Sequence, residues 1–230
     1  MNHETYLQID WEYAKENKIR VLRVYGSEPI LTLPEQIGDC PLTEIGAYCF
    51  AKSPHLPEQY HTTIWKRDQD TAWQVMEQDE EKESLPLKEL CGSFLVELTL
   101  PEQIKKIGNL AFYDCVELRK LTIGKNMQQV GSDAFMNCHR LGWLVLRAGV
   151  REESGLRQIL AQISWDIEVT FQKDGQIEAV LFYPEYFESY DEIAPAHIFG
   201  RNIEGEGFRA RQSFLNGAVD FVQYDTIFPK

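Results

Sequence analysis

Residues 98–120 read LTLPEQIKKIGNLAFYDCVELRK, and residues 121–143 read LTIGKNMQQVGSDAFMNCHRLGW. The two segments align without a gap at an offset of 23 residues, and LVL at 144–146 begins a third copy. Ala111 and Phe112 align with Ala134 and Phe135. A fixed period of roughly 20 to 50 residues is typical of a solenoid, in which each copy forms one coil of a continuous stack.

Each copy carries the residues that one coil needs. Leu121 and Ile123 flank Thr122, an alternation that predicts a strand with its apolar face inward. Gly131 permits a close turn of the backbone. Residues 132–135 fit one helical turn with Ser132 as its N-cap, and Phe135 is the large residue of the core. Since one coil cannot bury its apolar face alone, neighbouring coils are expected to join their strands into a parallel sheet.

The repeated residues resemble the BspA-like class of leucine-rich repeats, a 23-residue class known from bacterial proteins. Its pattern is an apolar strand ending in proline, then an apolar residue, Ile-Gly, Ala-Phe, Cys and Leu. The first copy matches at Leu98, Leu100, Pro101, Ile104, Ile107, Gly108, Ala111, Phe112, Cys115 and Leu118. The second copy has Gly124 in place of the proline. An earlier copy runs from Leu31 to Leu56, with about five additional residues at 38–42.

The pattern predicts a β-rich fold of the mixed α/β class, a short leucine-rich-repeat solenoid with additions at both ends. Residues 1–29 are predicted to form a β-hairpin that caps the first coil, with strands at 6–13 and 19–25. Residues 30–146 are predicted to be the repeats, interrupted by an irregular insertion at about 57–94, of which 60–65 adds one more rung. Residues 147–230 are predicted to be a C-terminal α+β segment.

That C-terminal segment is predicted to begin with a helix and a hairpin that close the solenoid. Residues 154–163 have apolar side chains at helical spacing. Residues 165–171 and 177–183 are predicted to be the two strands of the hairpin, joined by a turn at 173–175. A helical tail follows, with helices at 208–215 and 219–228.

Composition narrows the class of partner. The 230 residues have a formal net charge of −13, which argues against nucleic acid and against anionic membrane surfaces. No apolar run is long enough to span a membrane, and the first residues lack the pattern of a signal peptide. We therefore expect a cytoplasmic location, while a secreted chain whose leader has been removed stays open. Self-association also stays open.

The five cysteines are predicted to be free thiols. Cys115 and Cys138 occupy equivalent repeat positions and are expected to be buried in the core. The other three are Cys40, Cys49 and Cys91, and no two cysteines have the close spacing of a zinc site. No metal and no cofactor are therefore expected.

Two function classes fit the sequence. The first is a non-enzymatic module that binds a protein or peptide through the concave sheet of the solenoid. Its predicted contact residues are the outward side chains of the strands, namely Thr32, Glu97, Thr99, Lys120, Thr122, Trp143 and Val145. The second class is a hydrolase or transferase with a cleft in residues 165–230, formed by His197, Arg209 and carboxylates near Glu188. We predict the non-enzymatic binding module, because the repeats indicate a binding surface and the sequence contains no catalytic motif.

Overall fold

The computed structural model describes residues 4–52, 56–68, 72–76, 84–148, 155–163, 167–183 and 209–211. Sixteen strands lie in these residues, with one α-helix, α1 (Leu156–Leu160), and one short 3-10 helix at Lys15–Asn17. The strands, in chain order, are β1 (Glu4–Tyr13), β2 (Ile19–Gly26), β3 (Ile30–Thr32), β4 (Gln36–Ile37), β5 (Cys40–Ile45), β6 (His61–Asp68), β7 (Gln74–Val75), β8 (Lys88–Glu89), β9 (Glu97–Thr99), β10 (Lys106–Ile107), β11 (Lys120–Gly124), β12 (Gln129–Val130), β13 (Trp143–Arg147), β14 (Ile167–Lys173), β15 (Gln176–Tyr183) and β16 (Arg209–Arg211).

The strands form two sheets on opposite sides of the coils. The front sheet has the order β16-β15-β14-β13-β11-β9-β3. The back sheet has the order β12-β10-β5-β2-β1-β6-β7, with β4 beside β5 and β8 beside β2. The chain is therefore a β-rich solenoid, and the β-rich part of the predicted fold class is confirmed. Helix is confined, within the described residues, to α1 and the 3-10 turn.

The front sheet stacks equivalent residues of successive coils in register. Leu98 pairs with Leu121, and Leu121 pairs with Leu144, as the offset of 23 residues requires. Leu31 lies beside Leu98, so the earliest copy forms the next rung despite the insertion between them. These leucines are buried, because inward side chains of parallel rungs pack directly on one another.

In each coil, the segment between the back-sheet strand and the following front-sheet strand forms a further ladder of backbone hydrogen bonds and is not helical. The amides of Leu110, Phe112 and Asp114 donate to carbonyl oxygens of the next coil at 3.0, 2.8 and 3.0 Å. Leu110 and Asp133 both have a φ of 53°. The expected helical turn at 132–135 is therefore wrong. Residues with a left-handed backbone conformation direct every second amide toward the neighbouring coil. The hydrogen bonds between coils therefore replace those that a helix would form within itself.

The core contains a stack of three phenylalanines, one from each coil. The ring centroids of Phe50 and Phe112 are 4.8 Å apart, and those of Phe112 and Phe135 are 5.3 Å apart, with nearly parallel planes. All three side chains are fully buried. Beside the stack, the thiol of Cys138 donates to the carbonyl oxygen of Phe112 at 3.0 Å, and that of Cys115 to Phe50 at 3.2 Å. Each repeated cysteine thus satisfies a backbone group of the preceding coil.

Two repeated glycines lie where the coils approach most closely. A Cβ atom on Gly108 would lie 2.5 Å from the backbone nitrogen of Ala47, and one on Gly131 would lie 2.4 Å from that of Asn109. Neither glycine has a positive φ. The glycine is therefore needed for space between backbones and not for an unusual conformation.

The N-terminal hairpin is present and extends the back sheet. Strands β1 and β2 pair antiparallel, and β2 pairs parallel with β5 of the first coil. Strand β6 pairs antiparallel with the outer side of β1, from Glu4 with Asp68 to Trp11 with His61. The segment predicted at 60–65 is therefore a strand as expected, but it extends the hairpin in the back sheet and adds no rung to the front sheet of the repeats. Residues 77–83, an acidic part of the insertion predicted at about 57–94, lie outside the described residues.

The C-terminal hairpin continues the front sheet. Strand β14 pairs parallel with β13, and β15 returns antiparallel after a turn at Asp174 and Gly175, both with positive φ. The predicted helix at 154–163 is represented by α1. The predicted helix at 208–215 is wrong for Arg209–Arg211, which is strand β16 and pairs with β15. Residues 219–228 lie outside the described residues.

Candidate functional site

One column of outward side chains crosses the front sheet. The strand register places Glu97 beside Ile30, Lys120 beside Glu97, Trp143 beside Lys120, and Glu168 beside Trp143. Trp143 is 37% exposed and Ile30 is 53% exposed. This column, which we call the outer column, brings together three of the predicted site residues, Glu97, Lys120 and Trp143.

Trp143 is held in place by its neighbours. The ammonium nitrogen of Lys120 lies 4.2 Å from the centroid of the indole ring, a distance typical of a cation–π interaction. The indole N–H donates to the hydroxyl of Thr170 at 2.9 Å. Lys120 Nζ also lies 3.7 Å from a carboxylate oxygen of Glu97. The polar atom of the ring is therefore already satisfied, and its exposed surface is apolar.

The ring borders a shallow, predominantly cationic depression of about 650 Å³. Its lining residues are Glu97, Arg119, Lys120, Arg140, Gly142 and Trp143. The Arg119 and Arg140 side chains both approach the carboxylate of Glu117, at 3.7 Å for Arg119, and both remain more than half exposed. An apolar ring surrounded by cationic groups suits an apolar side chain with carboxylates beside it.

The second column of predicted contact residues differs from the first. Thr32 is exposed and Thr99 is half-buried, but Thr122 and Val145 are each only 5% exposed. We expected Thr122 and Val145 to be exposed contact residues, and the structure buries both. Strand alternation identifies the face on which a side chain lies, but it does not show whether other parts of the chain cover that face.

Three residues around Trp143 could not be predicted as site residues from the strand pattern of the repeats. Arg119 and Arg140 precede strands β11 and β13, and Thr170 lies on a strand beyond the clean repeats. The position of Arg140 could have been predicted from the repeat, because Arg140 donates to Glu117, which lies one repeat earlier in the sequence. Opposite charges at an offset of 23 residues stand on adjacent coils and pair in the same way as the leucines.

A cluster around the buried Arg23 joins the hairpin to strand β8 and to the first coil, and it was not predicted from the sequence. Arg23 is fully buried, and its Nε and Nη2 donate to the carboxylate of Glu89. Its Nη1 donates to the carbonyl oxygens of Tyr48 and Cys49 at 3.0 and 3.3 Å. Arg23 faces Asp10 across strands β1 and β2, and burial raises the pKa of the Asp10 carboxyl, against the lowering effect of a hydrogen bond from Thr62. The cluster anchors the hairpin, since every guanidinium nitrogen has a protein acceptor.

The cysteines behave as core residues. All five are free, and four are buried. Burial raises the pKa of Cys49 far above its ordinary value, and burial together with a hydrogen bond to Glu89 raises the pKa of Cys91 to about 11. The neighbouring Cys138 thiol, and then burial, raise the pKa of Cys115. Because the thiolate is the nucleophile, these environments do not favour thiol catalysis.

The enzymatic alternative rests on residues that are mostly not described. His197 and Glu188 lie outside the described residues, and Arg209 is known only as a backbone position of β16. Among the described residues, no group of three or more His, Cys, Asp or Glu side chains is arranged to hold a metal ion. No helix in the described part of the chain has the length and apolar composition that crossing a membrane requires.

Comparison with known families identifies the repeats. The family model described as "BspA type Leucine rich repeat region (6 copies)" matches residues 85–153. Residues 85–153 are a BspA-type leucine-rich repeat region. The resemblance inferred from the repeated residues is thereby confirmed. This leucine-rich repeat region contains strands β9, β11 and β13, and so it carries the part of the outer column from Glu97 to Trp143.

Two solved structures are similar to the chain. The crystal structure of a leucine rich cell surface protein from Faecalibacterium prausnitzii A2-165 is 20% identical, with a TM-score of 0.37, and the match covers 72% of this chain and 37% of that one. The crystal structure of a T. pallidum leucine rich repeat protein is 14% identical, with a TM-score of 0.27, covering 60% of this chain and 68% of that one. No curated protein matches the chain.

Proposed function

We propose that this chain binds a peptide segment of a partner protein at the surface around Trp143, without catalysis. The observation that carries the proposal is the held but exposed indole of Trp143, with Lys120 against the ring and Thr170 on its N–H. Interface energy concentrates in such aromatic anchors, which lose little conformational freedom when a partner binds. Leucine-rich repeat solenoids commonly present a sheet of this kind to proteins.

The charges around the anchor define the partner further. Arg119, Lys120 and Arg140 outnumber the two carboxylates that pair with them, Glu97 and Glu117. A segment with an apolar side chain flanked by Asp or Glu would bury its apolar part on Trp143 and pair its carboxylates with the arginines. We also propose that the protein is located in the cytoplasm and that its domain boundaries lie after residues 29 and 146.

Peptide selection tests the proposal. Random peptides displayed on phage are selected on the wild-type protein, and the enriched sequences are synthesised and titrated against purified variants. Trp143→Ala is expected to weaken binding by about 2 kcal/mol or more, because the central anchor is lost. Its melting temperature is expected to fall by less than about 4 °C, since the ring is partly exposed.

Tyr13→Ala is the matched control, since Tyr13 is an aromatic residue that is 57% exposed and lies on the back sheet. It is expected to bind the selected peptides as the wild type does. A Trp143→Ala protein that melts early and binds the peptides normally would assign the tryptophan to stability and refute the proposed site.

We further infer that the two ends of the solenoid are caps. At the N-terminal end, strand β2 takes the hydrogen-bonding positions beside β5, and Arg23 fixes it to the first coil. At the C-terminal end, the Gln158 side chain accepts from the amide of Val130 at 2.7 Å and donates to Gln128 O at 2.9 Å. The Gln162 side chain likewise accepts from the amide of Ala134 and donates to Gly131 O, both at 2.8 Å. Two side-chain amides thus take the place of the next rung.

The C-terminal cap has its own test. Gln158→Ala combined with Gln162→Ala is expected to lower the free energy of unfolding by about 2 kcal/mol, because four hydrogen bonds to the last coil are removed. Alanine favours helix more than glutamine does, so the loss cannot come from helix propensity. The control is Gln36→Ala with Gln103→Ala, two exposed glutamines away from α1. Equal urea midpoints for the two double variants would show that the glutamines do not cap the stack.

A further inference from the structure

A second concave region lies on the back sheet, away from Trp143. It is a cleft of about 760 Å³ between the turn of the N-terminal hairpin and the short rungs β5, β10 and β12. Its lining residues are Lys15, Glu16, Lys18, Arg20, Thr43, Glu44, Lys105, Lys106, Gln128 and Gln129. Five of these ten residues are cationic and two are acidic, in a chain whose net charge is −13.

Three of the cations have no carboxylate of their own. Arg20 is paired with Glu12 and Glu44 at 2.7 and 2.8 Å, and Lys18 is paired with Glu16. Within the described residues, Lys15, Lys105 and Lys106 have no ion-pair partner. Uncompensated ammonium groups held around one space raise the local concentration of anions.

The same cleft contains an unsatisfied hydroxyl group. Thr43 is only 4% exposed, and within the described residues its Oγ1 atom has no hydrogen-bond partner. Buried polar groups are nearly always paired, so an unpaired hydroxyl among lysines indicates a place for an additional acceptor. The amide groups of Gln128 and Gln129 supply further donors at the same wall.

We propose that this cleft binds a small ligand that carries more than one phosphate group. Ammonium groups bind phosphate as point charges, and three of those in the cleft have no ion-pair partner within the described residues. The five cationic residues of the cleft outnumber Glu16 and Glu44, so the attraction grows with the charge of the anion, which favours a ligand with several negative charges. The volume is larger than one phosphate group requires and leaves room for a chain of them. The site is distinct from the proposed peptide surface, because it lies on the other sheet.

Calorimetric titration with inorganic tripolyphosphate tests the proposal on the whole chain. Saturable binding is expected, and it is expected to weaken by at least about tenfold in a Lys105→Gln, Lys106→Gln double variant, since one charge-assisted hydrogen bond corresponds to roughly that factor. Binding is also expected to weaken as sodium chloride is raised from low to physiological concentration, because the lysines are accessible to solvent.

A charge-matched variant separates the site from general electrostatics. Lys52→Gln with Lys125→Gln removes two exposed lysines elsewhere and is expected to bind tripolyphosphate as the wild type does. Equal weakening in both double variants would refute a defined site, as would the absence of saturable binding. Tighter binding of citrate than of tripolyphosphate would refute phosphate as the ligand class. Because neither double variant alters Trp143, peptide titrations on the same proteins show whether the two proposed sites fail separately.

Discussion

Phe112→Ala is expected to lower the free energy of unfolding by about 3 to 5 kcal/mol, the range measured when a fully buried phenylalanine is truncated. Phe112 is the central ring of the stack, in contact with Phe50 on one side and Phe135 on the other. Its removal leaves a cavity between two coils that are fixed by backbone ladders on both sides, so the coils cannot collapse into the space. Urea titration followed by circular dichroism measures the loss.

Comparison with other truncations makes this result specific. Phe135→Ala is expected to cost less than Phe112→Ala, because Phe135 stacks on only one ring in the described residues. Phe112→Leu, which keeps most of the volume, is expected to cost less than about 1.5 kcal/mol. A loss below about 1 kcal/mol for Phe112→Ala would mean that the ring does not fill the core as the repeat register requires.

Gly108→Ala is expected to destabilise the protein by about 3 kcal/mol, the upper end of the usual range for overpacking, although it adds only one methyl group. The new Cβ atom would lie 2.5 Å from Ala47 N and 2.7 Å from Gly46 C, both backbone atoms of the adjacent coil. A flexible side chain could move aside, but these atoms belong to the ladder that joins the coils. The coils would have to separate locally, with loss of the hydrogen bond from Gly108 N to Ile45 O.

Gly142→Ala is the matched control, since the nearest atom to its added Cβ would be Arg140 O at 3.8 Å. This variant is expected to unfold at nearly the wild-type urea concentration. If Gly108→Ala were as stable as the wild type, the close approach of the coils at Gly108 would be wrong. A loss in both variants of equal size would instead point to a general cost of replacing glycine in these turns.

The sequence allowed the stacking of the coils to be predicted because repeated residues reveal their own partners. Leu98, Leu121 and Leu144 are the same position of successive copies, so their register follows from the offset of 23 residues. The outward positions of Lys120 and Trp143 follow in the same way. The helical turn at 132–135 was predicted wrongly, since four residues have too little pattern to distinguish a helical turn from left-handed turns.

Other features depend on contacts between segments that are distant in sequence. Arg23 meets Glu89 across 66 residues, and no local pattern pairs them. The antiparallel position of β6 likewise depends on its pairing with β1, a segment distant from it in sequence. At the proposed surface the sequence supplied the anchor, Trp143, but not Thr170 or the two arginines, which come from outside the strand pattern.

The four hydrogen bonds of Gln158 and Gln162 have a consequence for how such a chain changes in evolution. All four of these bonds go to backbone atoms of the last coil, at Gln128, Val130, Gly131 and Ala134. They therefore recognise the path of a coil and not its side chains. A duplication that inserted another 23-residue unit before α1 would present the same backbone groups to the same two amides. The four hydrogen bonds of this cap therefore do not fix the number of coils that precede it.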